Sequence, residues 1–223
     1  MITIYLAGDS TVSNYEVSRA PRAGWGQILQ RLMKEEIVVQ NEAASGRSSK
    51  SFIDEGRLDM IDPKMTNGDY LFIQFGHNDS KMDKERYTEP STTFKSYLTL
   101  YIDIARKNQA YPLLITPVQR RSFNEEGVFQ ETHGIYPEAM RELAKQLEVP
   151  LIDLTEKSRK LFEHLGPERT KELFLWLDRG KSLNYLEGVQ DDTHFSEMGA
   201  KKIAELVVEG IIELNLPIAK YMK

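Results

Sequence analysis

The residues that could do chemistry are those of an acyl-transfer site. Ser10 directly follows an apolar N-terminal segment, and Asp191, Asp192 and His194 lie together near the C-terminus. A serine becomes a nucleophile when a histidine takes its proton and a carboxylate orients that histidine. The spacing does not decide whether Asp191 or Asp192 orients the ring. Because a serine after a strand is more often a helix N-cap or a turn residue, Ser10 alone does not predict an enzyme.

Acyl transfer also needs hydrogen-bond donors for the oxyanion that forms on the carbonyl oxygen. The sequence offers the N–H groups of Ser10 and Gly46 and the side-chain amide of Asn78. Gly46 lies in a turn of small residues, where a glycine brings its backbone close to a ligand but also serves in ordinary turns. Asn78 belongs to the run Gly76–Asp79, which is polar or small and directly follows the clearest apolar strand.

Alternating strands and helices must bring these residues together. Strands are predicted at 2–7, 37–43, 69–75, 111–118 and 149–154, with helical spacing between them and a final helix capped by Ser196. This pattern predicts a three-layer α/β domain with a parallel sheet. One short helix is predicted across 52–61, two more at 156–165 and 167–177, and a loop at 178–195. Since parallel strands end at one edge, Ser10, Gly46 and Asn78 are expected to line one cleft.

Length and composition limit the class of protein. The 223 residues predict one domain, 1–223, and the absence of cysteine excludes disulfides and thiolate metal sites. No apolar run reaches the roughly 20 residues of a membrane-spanning helix. Since the N-terminus lacks the pattern of a signal peptide, we expect a cytoplasmic location. The net charge of −5 argues against a nucleic-acid partner, and no membrane partner is expected.

Four motifs carry a resemblance to a known family. They are Gly8-Asp9-Ser10-Thr11, the turn Asn41-x-Ala-x-x-Gly46-Arg-Ser, Gly76-His-Asn-Asp79 and Asp191-x-x-His194. In this order they resemble the four conserved blocks of the SGNH (GDSL-type) hydrolases. The residues within each motif are most similar to those of the rhamnogalacturonan acetylesterases. The α/β-hydrolases share the chain order Ser, Asp, His. Their Gly-x-Ser-x-Gly motif, however, is absent from this sequence.

The resemblance implies a fold and a complete catalytic assignment. The expected fold is a flavodoxin-like α/β/α sandwich with a central five-stranded parallel sheet. Ser10 is then the nucleophile, His194 the base and Asp191 its orienting carboxylate, while Ser10, Gly46 and Asn78 supply the oxyanion donors. The implied reaction removes acetyl groups from pectic sugars through an acetyl-enzyme, with no metal or other cofactor. With neither a signal nor a cysteine, the chain favours imported oligosaccharides over whole extracellular polymers.

Two other functions remain open. The same four blocks serve esterases of other specificity, acting on acetylxylan, lipids or thioesters. A non-catalytic carbohydrate-binding module is the second alternative, because Tyr15, Trp25, Trp176 and Tyr185 could stack on sugars. Such a module would need no Ser, His and Asp set.

A dinuclear metal site is a third alternative for the polar motifs. Asp9, His77, Asp79, Asp191 and Asp192 are its candidate ligands, but an Asp-x-His pair on the first strand is missing.

Several residues are candidates for binding the substrate. Arg47, Arg120 and Arg121 could hold a galacturonate carboxylate, although surface arginines are usually only solvated charges. His77, beside Asn78, is a fourth candidate.

Overall fold

The computed structural model describes residues 1–223 as eight strands and seven α-helices. The strands are β1 (Ile2–Gly8), β2 (Arg22–Ala23), β3 (Ile37–Asn41), β4 (Tyr70–Gln74), β5 (Tyr111–Ile115), β6 (Leu151–Ile152), β7 (Phe174–Leu177) and β8 (Val189–Ser196). The helices are α1 (Trp25–Leu29), α2 (Ser49–Asp54), α3 (Arg57–Ile61), α4 (Lys95–Lys107), α5 (Tyr136–Leu147), α6 (Leu154–Thr170) and α7 (Glu197–Glu213). Shorter 3-10 and π turns lie between them.

The central sheet has five parallel strands in the order β3-β1-β4-β5-β6, which is the flavodoxin-like order. Both of its faces are apolar. On β1, Ile4 and Leu6 join a core with α1, α6 and α7, whereas Tyr5 and Ala7 join a second core with α2 to α5. Because both faces of the sheet are buried, the sequences of these strands are continuous apolar runs. The predicted three-layer sandwich and its five strands are confirmed.

Two predicted helices differ from the structure. The helix predicted across 52–61 is divided into α2 and α3 at Gly56, whose φ is +72°. The helix predicted at 167–177 ends early, because Phe174–Leu177 is the strand β7. An unbroken apolar run of five residues has no period that separates a buried strand from a buried helix.

A small antiparallel sheet is the feature that the sequence did not predict. Its order is β2-β8-β7, and β8 occupies the end of the segment predicted as the loop 178–195. Phe174 and Phe195 of this sheet are fully buried and share the core of Ile4 and Leu6. The sheet is therefore fixed against the face of the parallel sheet that α7 covers.

No helix in the protein combines the length and the apolar character needed to cross a membrane.

Helix α7 fixes the end of β8 to the core. Its N-cap is Ser196, as predicted, whose hydroxyl accepts a hydrogen bond from the Gly199 N–H at 3.1 Å. A Cβ atom on Gly199 would stand 1.8 Å from the carbonyl oxygen of Leu173. The close approach of α7 to the residue before β7 thus requires glycine at this position.

We expect Gly199→Ala to lower the free energy of unfolding by about 2 kcal/mol or more, because overpacking against a backbone forces the helix outward. For a chain of this size, that is a fall in Tm of roughly 4–8 °C. The measurement is thermal unfolding followed by circular dichroism. Lys201→Ala, on the exposed face of the same helix, is the matched control. Equal Tm values for the two variants would contradict the docking of α7 described here.

Candidate active site

Ser10, His194 and Asp191 form a continuous hydrogen-bonded relay. The Nε2 atom of His194 lies 3.0 Å from Ser10 Oγ, and its Nδ1 atom lies 2.6 Å from Asp191 Oδ2. The other carboxylate oxygen of Asp191 accepts the N–H groups of Thr193 and His194 at 2.8 and 3.0 Å. The structure therefore brings Ser10 to a pair of residues that lie more than 180 positions further along the chain. This arrangement allows proton transfer from a serine hydroxyl to an imidazole that a carboxylate orients.

Asp191 is ionised in this arrangement. Desolvation by burial opposes its charge, but the hydrogen bonds and the charge of the His194 contact prevail, and the pKa of Asp191 falls from 3.8 to about 2. A carboxylate with that pKa holds the Nδ1–H of His194 and leaves Nε2 to face Ser10.

A bulge in β8 lets Asp191 and His194 face each other across three positions. The partner of Phe174 is Phe195, but the partner of the next residue, Leu175, is Asp191. Asp192, Thr193 and His194 are therefore left outside the ladder, and the strand bends around them. A regular strand would send positions three apart to opposite faces.

Asp192 stabilises this bulge through hydrogen bonds to Arg121 and Trp176. Its carboxylate accepts from Arg121 Nη1 at 2.9 Å and from Trp176 Nε1 at 2.8 Å, and its carbonyl accepts the Arg121 N–H at 2.9 Å. The Arg121 guanidinium also lies over the Trp176 ring, 4.9 Å from its centre. Of the two neighbouring aspartates, only Asp191 contacts the His194 ring.

The turn that carries Ser10 is fixed by a buried chain of hydrogen bonds. Trp25 Nε1 donates to Gln74 Oε1 at 2.9 Å, and Gln74 Nε2 donates to Thr11 Oγ1 at 2.7 Å. Thr11 in turn donates its N–H and its hydroxyl to Asp9 Oδ1, both at 2.8 Å. Asp9, Thr11, Gln74 and Trp25 are almost fully buried, so this turn has little freedom to move.

Three donors beside Ser10 are available to an oxyanion. The N–H groups of Ser10 and Gly46 have no acceptor within the protein. Gly46 has a φ of +82°, a conformation that residues other than glycine rarely adopt. The Asn78 amide donates one hydrogen to Arg47 O at 3.0 Å, which leaves its second hydrogen free.

Asp79 ties the Gly46 turn to the Asn78 turn. Its fully buried carboxylate accepts the Ser49 N–H and hydroxyl, the Gly76 N–H at 3.0 Å and the Thr88 hydroxyl at 3.0 Å. Burial raises the pKa of Asp79 to about 6, against the effect of these donors. Because these contacts span both turns, the spacing between Gly46 and Asn78 depends on Asp79.

These groups surround a polar cavity of about 270 Å³. Besides Ser10, Gly46, Asn78 and His194, it is lined by Arg22, Ser45, His77, Lys81, Arg120 and Thr193. None of the lining residues is hydrophobic.

The four predicted substrate-binding residues divide into two pairs. His77 and Arg120 line the cavity, whereas Arg47 and Arg121 do not. Arg47 pairs with Glu55 at 3.0 Å, and Arg121 pairs with Asp192.

His77 is buried and neutral. Desolvation by burial, together with the neighbouring groups His133, Arg120 and His194, holds its pKa well below the usual value. Both of its ring nitrogens lack a hydrogen-bond partner in the protein, and the ring packs edge-on against His133, with centres 4.3 Å apart. His77 therefore borders the cavity with both ring nitrogens buried and unpaired.

Sequence reasoning missed Arg22 and Lys81. Lys81 lies two residues after Asp79, so its place at the same sheet edge could have been read from the Gly76–Asp79 turn. Arg22 gave no such signal, because it reaches the cavity only through the pairing of β2 with β8, where Arg22 is opposite Ser196.

The candidate metal ligands form no cluster, and two of the candidate sugar-stacking rings are covered. No group of three or more His, Asp or Glu side chains lies close enough together to hold a metal ion, so Asp9, His77 and Asp79 do not assemble into such a cluster. Trp25 is fully buried, and one face of Trp176 is covered by Arg121.

Comparison with known proteins identifies close relatives. Residues 6–202 match the GDSL-like Lipase/Acylhydrolase family. The rhamnogalacturonan acetylesterase RhgT of Bacillus subtilis is 50% identical over 221 residues, which are 99% of this chain and 94% of the relative. The probable rhamnogalacturonan acetylesterase YesY of the same organism is 47% identical over 97% of this chain and 95% of that protein. The crystal structure of the Bacillus subtilis protein YXIM superposes with a TM-score of 0.82 at 30% identity, over 97% of this chain and 57% of the longer one.

The buried carboxyl group of Asp9 makes stability depend on pH. Burial raises the pKa of Asp9 from 3.8 to about 7, so the folded protein keeps a proton that the unfolded chain loses. The stabilisation is complete below about pH 4 and is lost as pH rises through 7. Since one pKa unit corresponds to about 1.4 kcal/mol, we expect wild type to lose a few kcal/mol more than Asp9→Asn between pH 5 and 8.

Urea unfolding of both proteins at pH 5, 6, 7 and 8 measures this difference. Asp83→Asn is the control, because the pKa of this exposed carboxylate is held low by Arg86 and it does not titrate in that range. Parallel pH profiles for wild type and Asp9→Asn would show that burial of Asp9 does not shift its ionisation.

Proposed function

The chain belongs to the GDSL-like lipase/acylhydrolase family and is an ester hydrolase, and we propose that it removes acetyl groups from pectic oligosaccharides of the rhamnogalacturonan type. The observation that carries the proposal is the relay from Ser10 through His194 to Asp191, at the edge of a cavity that no hydrophobic residue lines. The activity in the names of the relatives at 50% and 47% identity gives the substrate class.

The proposed reaction proceeds through an acetyl-enzyme. His194 Nε2 takes the Ser10 proton as Oγ forms a bond to the acetyl carbon, and the sugar oxygen leaves with the proton from His194. Water then attacks the acetyl-enzyme, again with His194 as the base, and acetate leaves with Ser10 restored. In both steps the N–H groups of Ser10 and Gly46 and the amide of Asn78 hold the oxyanion.

The cavity suits a small acyl group on a sugar better than a long acyl chain. Its volume of about 270 Å³ is below the range of about 300–1,000 Å³ for pockets that take larger ligands. A fatty acyl chain gains its affinity from burial against apolar side chains, and the cavity is lined by no hydrophobic residue. Sugar hydroxyls instead need donors and acceptors, such as the exposed hydroxyl group of Ser45.

For substrate binding, the proposal retains His77 and Arg120 from the four sequence candidates. Arg47 and Arg121 each hold a carboxylate of the protein and lie outside the cavity, so their roles are to fix the Gly46 turn and the β8 bulge.

We also propose that residues 1–223 act as one hydrolase domain in the cytoplasm, on imported oligosaccharides. The core shared by Ile4 and Leu6 of the parallel sheet and Phe174 and Phe195 of the small sheet supports a single folding unit. A chain without cysteine needs no oxidising compartment.

The two neighbouring aspartates provide a matched test of the relay. We expect Asp191→Asn to lower kcat by on the order of 10³-fold or more, because an amide in place of the carboxylate no longer fixes the His194 tautomer. Asp192→Asn should cost only a small fraction of that, since its carboxylate contacts Arg121 and Trp176 and not the ring. Steady-state kinetics on a chromogenic acetate ester measures both. Equal losses in the two variants, with unchanged Tm, would remove Asp191 from its proposed role.

The substrate is tested by acetate release from three esters. They are acetylated rhamnogalacturonan oligosaccharides, acetylated xylo-oligosaccharides and a chromogenic acetate ester, each given to wild type and to Ser10→Ala. We expect the pectic substrate to have the highest kcat/KM, and Ser10→Ala to be inactive on all three. A preference for the xylan substrate would refute the pectic assignment, and an active Ser10→Ala would refute the nucleophile.

A further inference from the structure

The cavity beside Ser10 contains three cationic side chains without an ion-pair partner. Arg22, Lys81 and Arg120 line it, and none lies within 4.0 Å of a carboxylate oxygen. Elsewhere in this chain of net charge −5, arginines such as Arg31, Arg47 and Arg121 form ion pairs. Cations that face one cavity and lack partners leave an excess of positive charge there.

Arg22 is held in place by contacts that do not neutralise it. Its guanidinium lies over the Tyr15 ring, 4.4 Å from the centre, and Nη2 donates to the Tyr15 hydroxyl at 2.9 Å. The same hydroxyl donates to Ser10 O at 2.7 Å, so Arg22 is tied to the serine turn. The Nε–H of Arg22 is buried and has no partner. A fixed guanidinium with an unused donor is suited to a planar carboxylate.

Arg120 and Lys81 lie at the same cavity and differ in exposure. Arg120 Nη2 donates to His77 O at 3.2 Å, and its Nε–H is buried without a partner. The Asp191 carboxylate acts on Arg120 from a longer distance and offsets part of its field. Lys81 is exposed at the rim, and its ammonium group makes no hydrogen bond within the protein.

We propose that Arg22 and Lys81, with Arg120 beside them, bind the carboxylate of a uronic acid unit in the substrate. Since the cavity also contains Ser10 Oγ, this unit is the acetylated sugar itself or its immediate neighbour. The inference rests on the proposed function, because it assumes that a sugar ester enters this cavity. It goes further by assigning specificity to charge and by naming two residues that no motif contains.

Binding tests the carboxylate site independently of catalysis. The probe is digalacturonate, and the reference is its neutral methyl ester, each titrated calorimetrically into the full chain. We expect the acid to bind at least about tenfold more tightly than the ester, and the difference to shrink as salt is added. Lys81→Gln should reduce this preference by about 2- to 5-fold, as for an exposed ion pair, and Arg22→Gln by about tenfold.

Two matched variants separate charge from other effects. Lys81→Arg keeps the charge and should keep the preference, and Lys84→Gln removes an exposed lysine that does not line the cavity. Equal binding of acid and ester by wild type, or equal loss of preference in Lys81→Gln and Lys84→Gln, would overturn the proposal.

A kinetic measurement then separates this proposal from the proposed function. For acetylated digalacturonate and its methyl ester, kcat/KM should favour the acid in wild type and less so in Lys81→Gln. Hydrolysis of both forms at equal rates, abolished in Ser10→Ala, would overturn the carboxylate site while the esterase stands. If neither form is hydrolysed, the proposed substrate fails, and the titrations still decide whether the cavity binds a uronate.

Discussion

The geometry of the cleft depends on the hydrogen bonds that the Asp79 carboxylate accepts. At the carboxyl edge of the parallel sheet the turns of Ser10 and Asn78 are buried although they are polar, and an unpaired group there costs free energy. Asp79 accepts the Ser49 and Gly76 N–H groups together with two hydroxyls, which closes the turns of Gly46 and Asn78 onto each other. The Thr11–Gln74–Trp25 chain does the same for the Ser10 turn. The N–H groups of Ser10 and Gly46 make no hydrogen bond within the protein, and both residues line the cavity.

This edge was predictable from sequence because each of its parts is local. A strand, a small or polar turn and a helix follow one another within about a dozen residues, and parallel strands put successive turns side by side. Ser10, Gly46 and Asn78 therefore converge once the strand order is known. The division of 52–61 at Gly56 and the exact strand ends were not predictable, since they depend on packing between elements.

For Asp191 and His194, the sequence predicted a motif but not the local structure that brings the two side chains together. The spacing of Asp191 and His194 allowed their contact, but the structure produces it through a bulge in an antiparallel strand and not through a loop. That bulge exists because Phe174 and Leu175 pair with Phe195 and Asp191, and because Asp192 is fixed by Arg121 and Trp176. The pairing of β8 with β7 and β2 leaves no periodic pattern of apolar residues in the sequence. For the same reason, the sequence did not predict that Arg22 lies at the cavity.

The two sheets thus contribute different parts of the proposed chemistry. The parallel sheet fixes the proposed nucleophile and oxyanion donors by a shared buried network, so a change at Asp79 or Gln74 disturbs several of them at once. The antiparallel sheet brings His194 on β8 and Arg22 on β2 against the same turn, with contacts that are partly exposed. A charge at Arg22 can then be altered with less effect on the oxyanion donors than a change at Asp79 would have. Substitutions at Arg22 in the smaller sheet or at Lys81 on the rim of the cavity can accordingly change the preference for a charged or a neutral sugar without changing the proposed hydrolytic residues.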